Sequence, residues 1–591
     1  MKSVLLLILL LVGCSIKSLK KKNQNITSDT IRTNAYQYGP SQTKNEGYFL
    51  DKTQHYGLEN IEAHHFYAVD FTHDGFTDLV ILPTHFSEPL FYEYFPKKEK
   101  FIKTESPFST SVVGSYFLFY DLNHDHILDL IVGVLNQKSE LSKLAIKVFR
   151  GSFESNKYKL NEVKNAIPLS PLPSSSIAVL DYNNDGEIDL YVGNWFGVYD
   201  GKPIPVRDRL LRGSGFLFKD VTSLLDKESE KNEVGGMYIN AKPTYGVSTC
   251  DIDQNGFVDI LTTSTSLYHN KLWMNIFQLK GEQRFFKDYG LVSFYSSDVE
   301  GRLDPRGGGR TFFSACADYN DDGMMDIYMG ELTHSYDNDS VDKSSVLTGK
   351  FTKMPPDFIR TEYMNDIETI NWNQGDRRAI WFDYNFDSFI DLLVDNSGFP
   401  PTSRLVLFEQ KENHAFENIA HLAGIDIINP TGSIIMDLNQ DGKMDIITAQ
   451  TPQRNSQIGQ RVYVFQNEIP YEGKRIIRFY LRGEKANSMG IGSMIYLKTK
   501  YLGRERTRMQ WVEYSQGALP SQNEVGIVFG LAKGEELVEA MVRWPIYQSK
   551  SKGSVKALER KYNLKKYNFN FYLDVTLCES GNHNAGKKAC L

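Results

Sequence analysis

Cysteine is scarce in this chain, no long apolar run follows the first dozen residues, and neither sign of charge is massed on one segment. Of 591 residues five are cysteine: Cys14, Cys250, Cys316, Cys578 and Cys590. Their spacing matches no zinc site. No stretch beyond the N-terminus is long and apolar enough to cross a bilayer as a helix. Lys and Arg number 66 against 73 Asp and Glu, and the basic residues are scattered, which argues against nucleic-acid binding. The exception, Lys20-Lys21-Lys22, reads as a solvated spacer, or else as a weak contact for anionic headgroups. Catalytic signatures are missing too: there is no Gly-x-Ser-x-Gly elbow and no His-Glu-x-x-His helix. Gly307-Gly308-Gly309 lacks the Gly-Lys-Ser/Thr ending of a phosphate loop and reads as a connection between sheets. His64-His65 reads as packing, with a metal or acid–base role as the sharper alternative.

What is present begins at the N-terminus. Met1-Lys2 is a small positive start, residues 4–12 are a short apolar core, and Gly13 precedes Cys14. That order describes a secretory signal. With cysteine directly after a small residue, it resembles the lipobox of bacterial lipoproteins. The resemblance implies cleavage before Cys14, lipidation of Cys14 and a membrane anchor, with the rest of the chain outside the cytoplasm. Ser15 fits outer-membrane sorting by the same resemblance. The other reading is a plain signal peptide with an incidental cysteine. An oxidising compartment permits disulfides. Cys578 and Cys590 bracket a polar tail, which permits a local disulfide without deciding whether they bridge, whereas Cys250 and Cys316 are expected in buried strands as small apolar residues.

One pattern recurs seven times: oxygen-bearing side chains at loop positions one, three, five and nine, usually with glycine at six. The copies are Asp70, Thr72, Asp74, Asp78; Asp121, Asn123, Asp125, Asp129; Asp181, Asn183, Asp185, Asp189; and Asp251, Asp253, Asn255, Asp259. The last three are Asp318, Asn320, Asp322, Asp326; Asp383, Asn385, Asp387, Asp391; and Asp437, Asn439, Asp441, Asp445. A position-seven carbonyl, from Phe76, Glu187, Phe257, Met324 or Lys443, would complete the shell. Hard oxygen donors in variable number suit calcium better than magnesium, so up to seven calcium ions are expected. His126 and Ser388 replace the glycine in the loops at Asp121 and Asp383, where calcium is least expected. An EF-hand is excluded because position twelve is never acidic: it is Ile81, Val132, Val192, Thr262, Met329, Val394 and Thr448.

The flanks are short apolar runs suited to buried strands. Loop starts at 70, 121, 181, 251, 318, 383 and 437 fit one four-stranded sheet per repeat, an all-β fold of seven blades. Each loop would join strands one and two, with third strands at 272–275 and 464–467 and fourth strands at 218–221 and 416–419. The last repeat lacks a fourth strand. Residues 49–58 repeat the pattern of 416–425, so residues near 47–58 are predicted to complete it.

These loops resemble the FG-GAP and VCBS repeats of integrin-α-type β-propellers. The segment that follows resembles the ASPIC/UnbV domain of the cartilage acidic protein family, on Asn487, Gly490-Ile491-Gly492-Ser493, Ser521-Gln522, Phe529-Gly530-Leu531 and Trp544-Pro545. The expected organisation is a signal at 1–13, a flexible linker at 14–46, the seven-bladed propeller at 47–470, a small β domain at 471–575 and a polar tail at 576–591. The function implied is a calcium-stabilised, membrane-anchored, monomeric adhesion module outside the cytoplasm that binds protein or glycan. It is read as no enzyme; the alternative is a polysaccharide lyase or hydrolase, or its accessory. Ligand contact is expected opposite the loops or at the channel mouth, with segments 194–242 (Trp195, Phe196, Tyr199, Arg207) and 332–378 as candidates.

Overall fold

The computed structural model describes residues 48–590, apart from 136–144, 168–171, 200–201, 232–237, 279–282, 300, 302–307, 335–340, 351–353, 363–373, 401, 552–553 and 589. The signal, Cys14 and the lysine run lie outside the described residues, as do Arg306 and Gly307.

The fold is all-β. Each acidic loop turns an inner strand into a second strand, as expected. The inner strands are His65–Val69, Tyr116–Tyr120, Ser174–Leu180, Thr244–Cys250, Thr311–Ala317, Gln374–Phe382 and Pro430–Met436. Most are near-continuous apolar or small-residue runs, His65–Val69 and Tyr116–Tyr120 being buried at every position, whereas Gln374–Phe382 carries the charged Asp376, Arg377 and Arg378. Every second strand begins at the position-nine aspartate. That aspartate pairs in register with the residue before position one: Val69 with Asp78, Tyr120 with Asp129, Cys250 with Asp259 and Met436 with Asp445. Two outer strands complete each unit.

Five of these units are separate four-stranded sheets; the fifth and sixth join through a short pairing of Leu332 with Gly375 and Thr333 with Gln374. The seventh takes its outer strand from the N-terminus, where Phe49–Asp51 pairs antiparallel with Arg461–Asn467. The strand is three residues long, shorter than the stretch expected. Tyr56 and Leu58 follow it into a core shared by the first and seventh units. Inner strands of successive units touch, and Pro430–Met436 of the seventh returns to His65–Val69 of the first.

Beyond residue 470 two further four-stranded sheets form. One holds Arg475–Arg482, Ile527–Leu531, Tyr572–Cys578 and His583–Ala585; the other holds Met494–Tyr501, Arg504–Trp511, Glu536–Ser551 and Ser554–Asn563. Residues 576–591 are therefore not a separate polar tail. Thr576 and Leu577 extend a parallel pairing with Tyr480 and Leu481, because Val575, Leu577 and Cys578 are buried apolar residues. The C-terminal core, around Trp544 and Phe479, is continuous with Tyr116, Leu118 and Val179 of the second and third units.

Both cysteine pairs are bridged. Cys578–Cys590 is the local disulfide that the spacing permitted and left open. Cys250–Cys316 corrects the reading of these residues as unpaired small apolar side chains: they lie on adjacent inner strands with Cα atoms 6.3 Å apart. Their sequence separation of 66 hides the contact from local reading.

Candidate functional site

The seven acidic loops share one backbone form, left-handed at positions four and six. Position four has φ of 59° at His73, 61° at His124, 54° at Gln254 and 58° at Gln440. Position six is glycine at φ 81–93° in five loops, but His126 and Ser388 take φ 64° and 77°. A side chain there is strained, as the substitutions implied.

The carboxylates hold this form. In five loops the position-one carboxylate accepts backbone N–H from positions five and six, as Asp181 does from Asp185 at 3.1 Å and from Gly186 at 2.8 Å, and Asp318 from Asp322 and Gly323 at 3.1 Å each. In the fourth and seventh, Asp251 and Asp437 accept the position-six N–H of Gly256 and Gly442 at 2.9 Å, and the position-five N–H turns to Asp253 and Asn439. The position-nine aspartate ties three strands together. One oxygen takes the N–H of position two, as Asp259 does from Ile252 at 2.8 Å. Its other oxygen takes an N–H of the third strand: Gly151 to Asp129 and Gly213 to Asp189 at 2.8 Å, Asn467 to Asp445 at 2.7 Å. In the first loop Asp78 instead takes Thr72 N at 3.1 Å, with Tyr94 N at 2.9 Å. A carboxylate oxygen has a second lone pair, so these bonds leave capacity for a cation.

The charges crowd together away from water. Burial pushes Asp251, Asp318 and Asp437 up to about 7 and Asp383 up to about 8. Among the described residues the oxygens of Asp251, Asp253 and Asp259 converge within 4.8 Å of one another. Asp251 Oδ1, Asp437 Oδ1 and Asn183 Oδ1 are buried without a hydrogen-bond partner. An orphaned buried carboxylate oxygen is costly unless something compensates it. The donor set of the fourth and seventh loops therefore fits a hard divalent cation best. The sixth fits it less well: Ser388 Oγ donates to Glu535 Oε2 at 2.6 Å, so its turn is held by the C-terminal domain.

That domain covers the loop end of the sheets. Ser488 Oγ donates to Asp121 at 2.6 Å, Arg543 to Asp251 at 2.9 Å, and Arg478 lies 3.2 Å from Asp437. Lys474 Nζ reaches Asn385 O at 3.0 Å and Arg506 pairs with Asp321. At the third loop a side chain on Gly186 would fall 1.9 Å from Lys485 O, so only glycine permits the close approach. Arg478 is 3% exposed and also bonds Glu524 and Asp574.

The same domain lays residues 513–524 against the inner strands. Ala68 N donates to Gln522 O at 2.9 Å, and Gln522 N to Phe66 O at 3.0 Å. The Gln522 amide pairs with both N and O of Phe119 at 3.0 and 2.9 Å. Further along, Gly517 N donates to Val247 O, Leu519 N to Ser175 O and Glu524 N to Ile435 O. Thr249 N donates to Glu513 at 3.0 Å and Asp437 N to Glu524 at 2.7 Å. This plug satisfies inner-strand groups that the second strands leave open.

A family described as ASPIC and UnbV matches residues 483–566. The ASPIC and UnbV match thus contains Ser488, Arg506, Arg543 and the entire plug. No curated protein matches the chain. Among solved structures the chain is similar to the V. cholerae biofilm matrix protein Bap1, at 8% identity, covering 81% of this chain and 84% of that one, with a TM-score of 0.28. A likeness that loose carries no argument here.

Sequence reading missed the cover and the plug. Ser521-Gln522 stood out only as positions matching the ASPIC/UnbV pattern, and nothing local marks Arg478 or Arg543 as partners of the loops. His64 and His65 lie at the far end of the inner strands, facing a cavity. Of the long segments, 194–242 forms a small hairpin, Phe196–Tyr199 with Lys202–Pro205. Trp195 packs edge-on against Tyr245 at 4.8 Å, and Arg207 lies 3.9 Å from the Tyr238 ring centre.

Proposed function

We propose that this chain is an extracytoplasmic binding module, a seven-bladed FG-GAP/VCBS-type β-propeller stabilised by calcium in its acidic loops. The observation carrying the reading is the recurrence of one acidic loop form at every junction of inner and second strand, with unpartnered buried oxygens at Asp251 and Asp437. Calcium would be held by positions one, three, five and nine, supplying positive charge that fixes the turn. The chain's own residues already preset that turn through the position-one and position-nine hydrogen bonds.

The anchor would be a lipid on Cys14, and the bound partner a protein or glycan at the cell surface or in the periplasm. The proposed protein acts as a monomer and turns over no substrate. Product release from a polysaccharide panel would favour the lyase or hydrolase reading instead.

The test is calorimetric melting with calcium and with excess chelator. Each site saturated at a hundredfold over its Kd adds about 2.7 kcal/mol. Chelation should therefore lower Tm by on the order of 5–10 °C, and Asp251→Asn with Asp259→Asn should shrink that difference. A melting curve indifferent to chelator would sink the calcium role.

A further inference from the structure

The acidic turns occupy one end of the inner strands, so the starts of those strands lie at the other. There His64, His65, Tyr245, Phe312, Arg377 and Thr431 line a cavity of about 590 Å³. Ala518 and Leu519, from the plug, form part of its wall. Its size falls in the usual range for small-molecule sites.

Among the described residues Asp395 is the one carboxylate in the lining. Its oxygens take Ser433 N at 3.0 Å and the Ser433 hydroxyl. Arg378, buried beside it, donates to Ser433 O at 2.6 Å. Arg377 is placed differently. Among the described residues it has no ion pair, and its Nε reaches Ser397 O only at 3.4 Å. Its guanidinium lies 4.7 Å from the Phe312 ring centre, and Tyr245 packs edge-on to Phe312 at 4.5 Å.

The histidines add hydrogen-bonding capacity without charge. Burial, with His85 and Arg377 nearby, pushes His64 down to about 4, and burial pushes His65 well below its usual range. His64 Nδ1 and His65 Nε2 pair at 2.8 Å, leaving His64 Nε2 without a protein partner among the described residues. The cavity is thus cationic through arginine, aromatic through Tyr245 and the half-exposed Phe86, and studded with Thr431, Thr451 and Gln453.

We propose that this cavity binds an acidic saccharide, with the sugar carboxylate on Arg377 and the apolar face of the ring against the aromatic lining. A guanidinium fork matches a carboxylate, and hydroxyl-rich walls match the remaining ring substituents. The inference deepens the binding-module reading and rests on it for the ligand's accessibility.

The experiment is isothermal titration of the full chain in calcium with trigalacturonate, and with maltotriose as the neutral counterpart. Trigalacturonate should bind, weaken with added salt, and lose about tenfold or more in affinity in Arg377→Gln and less in Arg377→Lys. Maltotriose should not bind. Absence of trigalacturonate binding, equal binding of maltotriose, or an Arg377→Gln protein that melts and binds like wild type would each overturn the proposal. The wild-type comparison of acidic with neutral sugar decides the matter even if the variant fails to fold. Calcium-dependent melting is read separately, so a chain that melts as expected yet ignores trigalacturonate refutes the cavity proposal alone.

Discussion

The two ends of the inner strands carry opposite chemistry and are treated oppositely by the rest of the chain. At the loop end, aspartates crowd below water and the C-terminal domain lays Arg478, Arg543 and Ser488 over them. At the other end, Arg377, Arg378 and the histidines surround a cavity that nothing in the described chain fills. The acidic end is covered from within the molecule, although Asp251 Oδ1 and Asp437 Oδ1 stay unpartnered; the basic end is uncovered among the described residues. Contact with the loops is therefore a matter of stability, and contact with the cavity a matter of binding.

Mutations on the two sides should separate along that line. The largest effect belongs to the covered end. Arg478→Met strands Asp437, Glu524 and Asp574 in a buried site, and denaturant unfolding should show a loss of about 3–5 kcal/mol. An unfolding free energy within error of wild type would mean that the cover is only loosely coupled to the loops.

A smaller effect is expected at the open end, from pH. His64 and His65 face His85, Arg377, Arg378 and Asp395. Unfolded, they would protonate near pH 6.5; folded, His64 protonates near 4 and His65 well below 6.5. Between those values the unfolded chain binds more protons, so their contribution is present above pH 6.5 and is lost as pH falls toward 4. Melting temperature should drop from pH 7 to pH 5 more steeply in wild type than in His64→Gln with His65→Gln. Parallel curves would remove the histidines from the account.

The smallest effect returns to the loops. His126 holds φ 64° where five other loops have glycine. His126→Gly should relieve the left-handed strain and stabilise by up to about 1 kcal/mol. Destabilisation would show that the His126 side chain contributes more than its backbone costs.

The repeated loops, their hairpin setting and the supply of an outer strand from the N-terminus were legible because each rests on contacts within a few residues or on a copied local pattern. Phe49–Asp51 could be found across more than 400 residues only because it resembles Phe416–Asn418. The Cys250–Cys316 bridge, the plug at Gln522 and the arginines over the loops have no local signature. They depend on which strands become neighbours after closure, which spacing alone does not specify. Position nine was read as a cation ligand, and its second duty, joining three strands through backbone N–H groups, needed coordinates. At the cavity, the histidine pair drew notice by being adjacent, whereas Arg377 was one residue in a long candidate segment.

The plug also sets a schedule for assembly. Residues 513–524 emerge from the ribosome after every sheet whose inner strand they bond, and the seventh sheet must wait for residues beyond 460 to meet a strand made at the outset. Until those late arrivals dock, inner strands have ungratified edges. A chain stopped short of its last hundred residues would thus be a nearly complete molecule with sticky edges exposed, a natural substrate for chaperones and proteases.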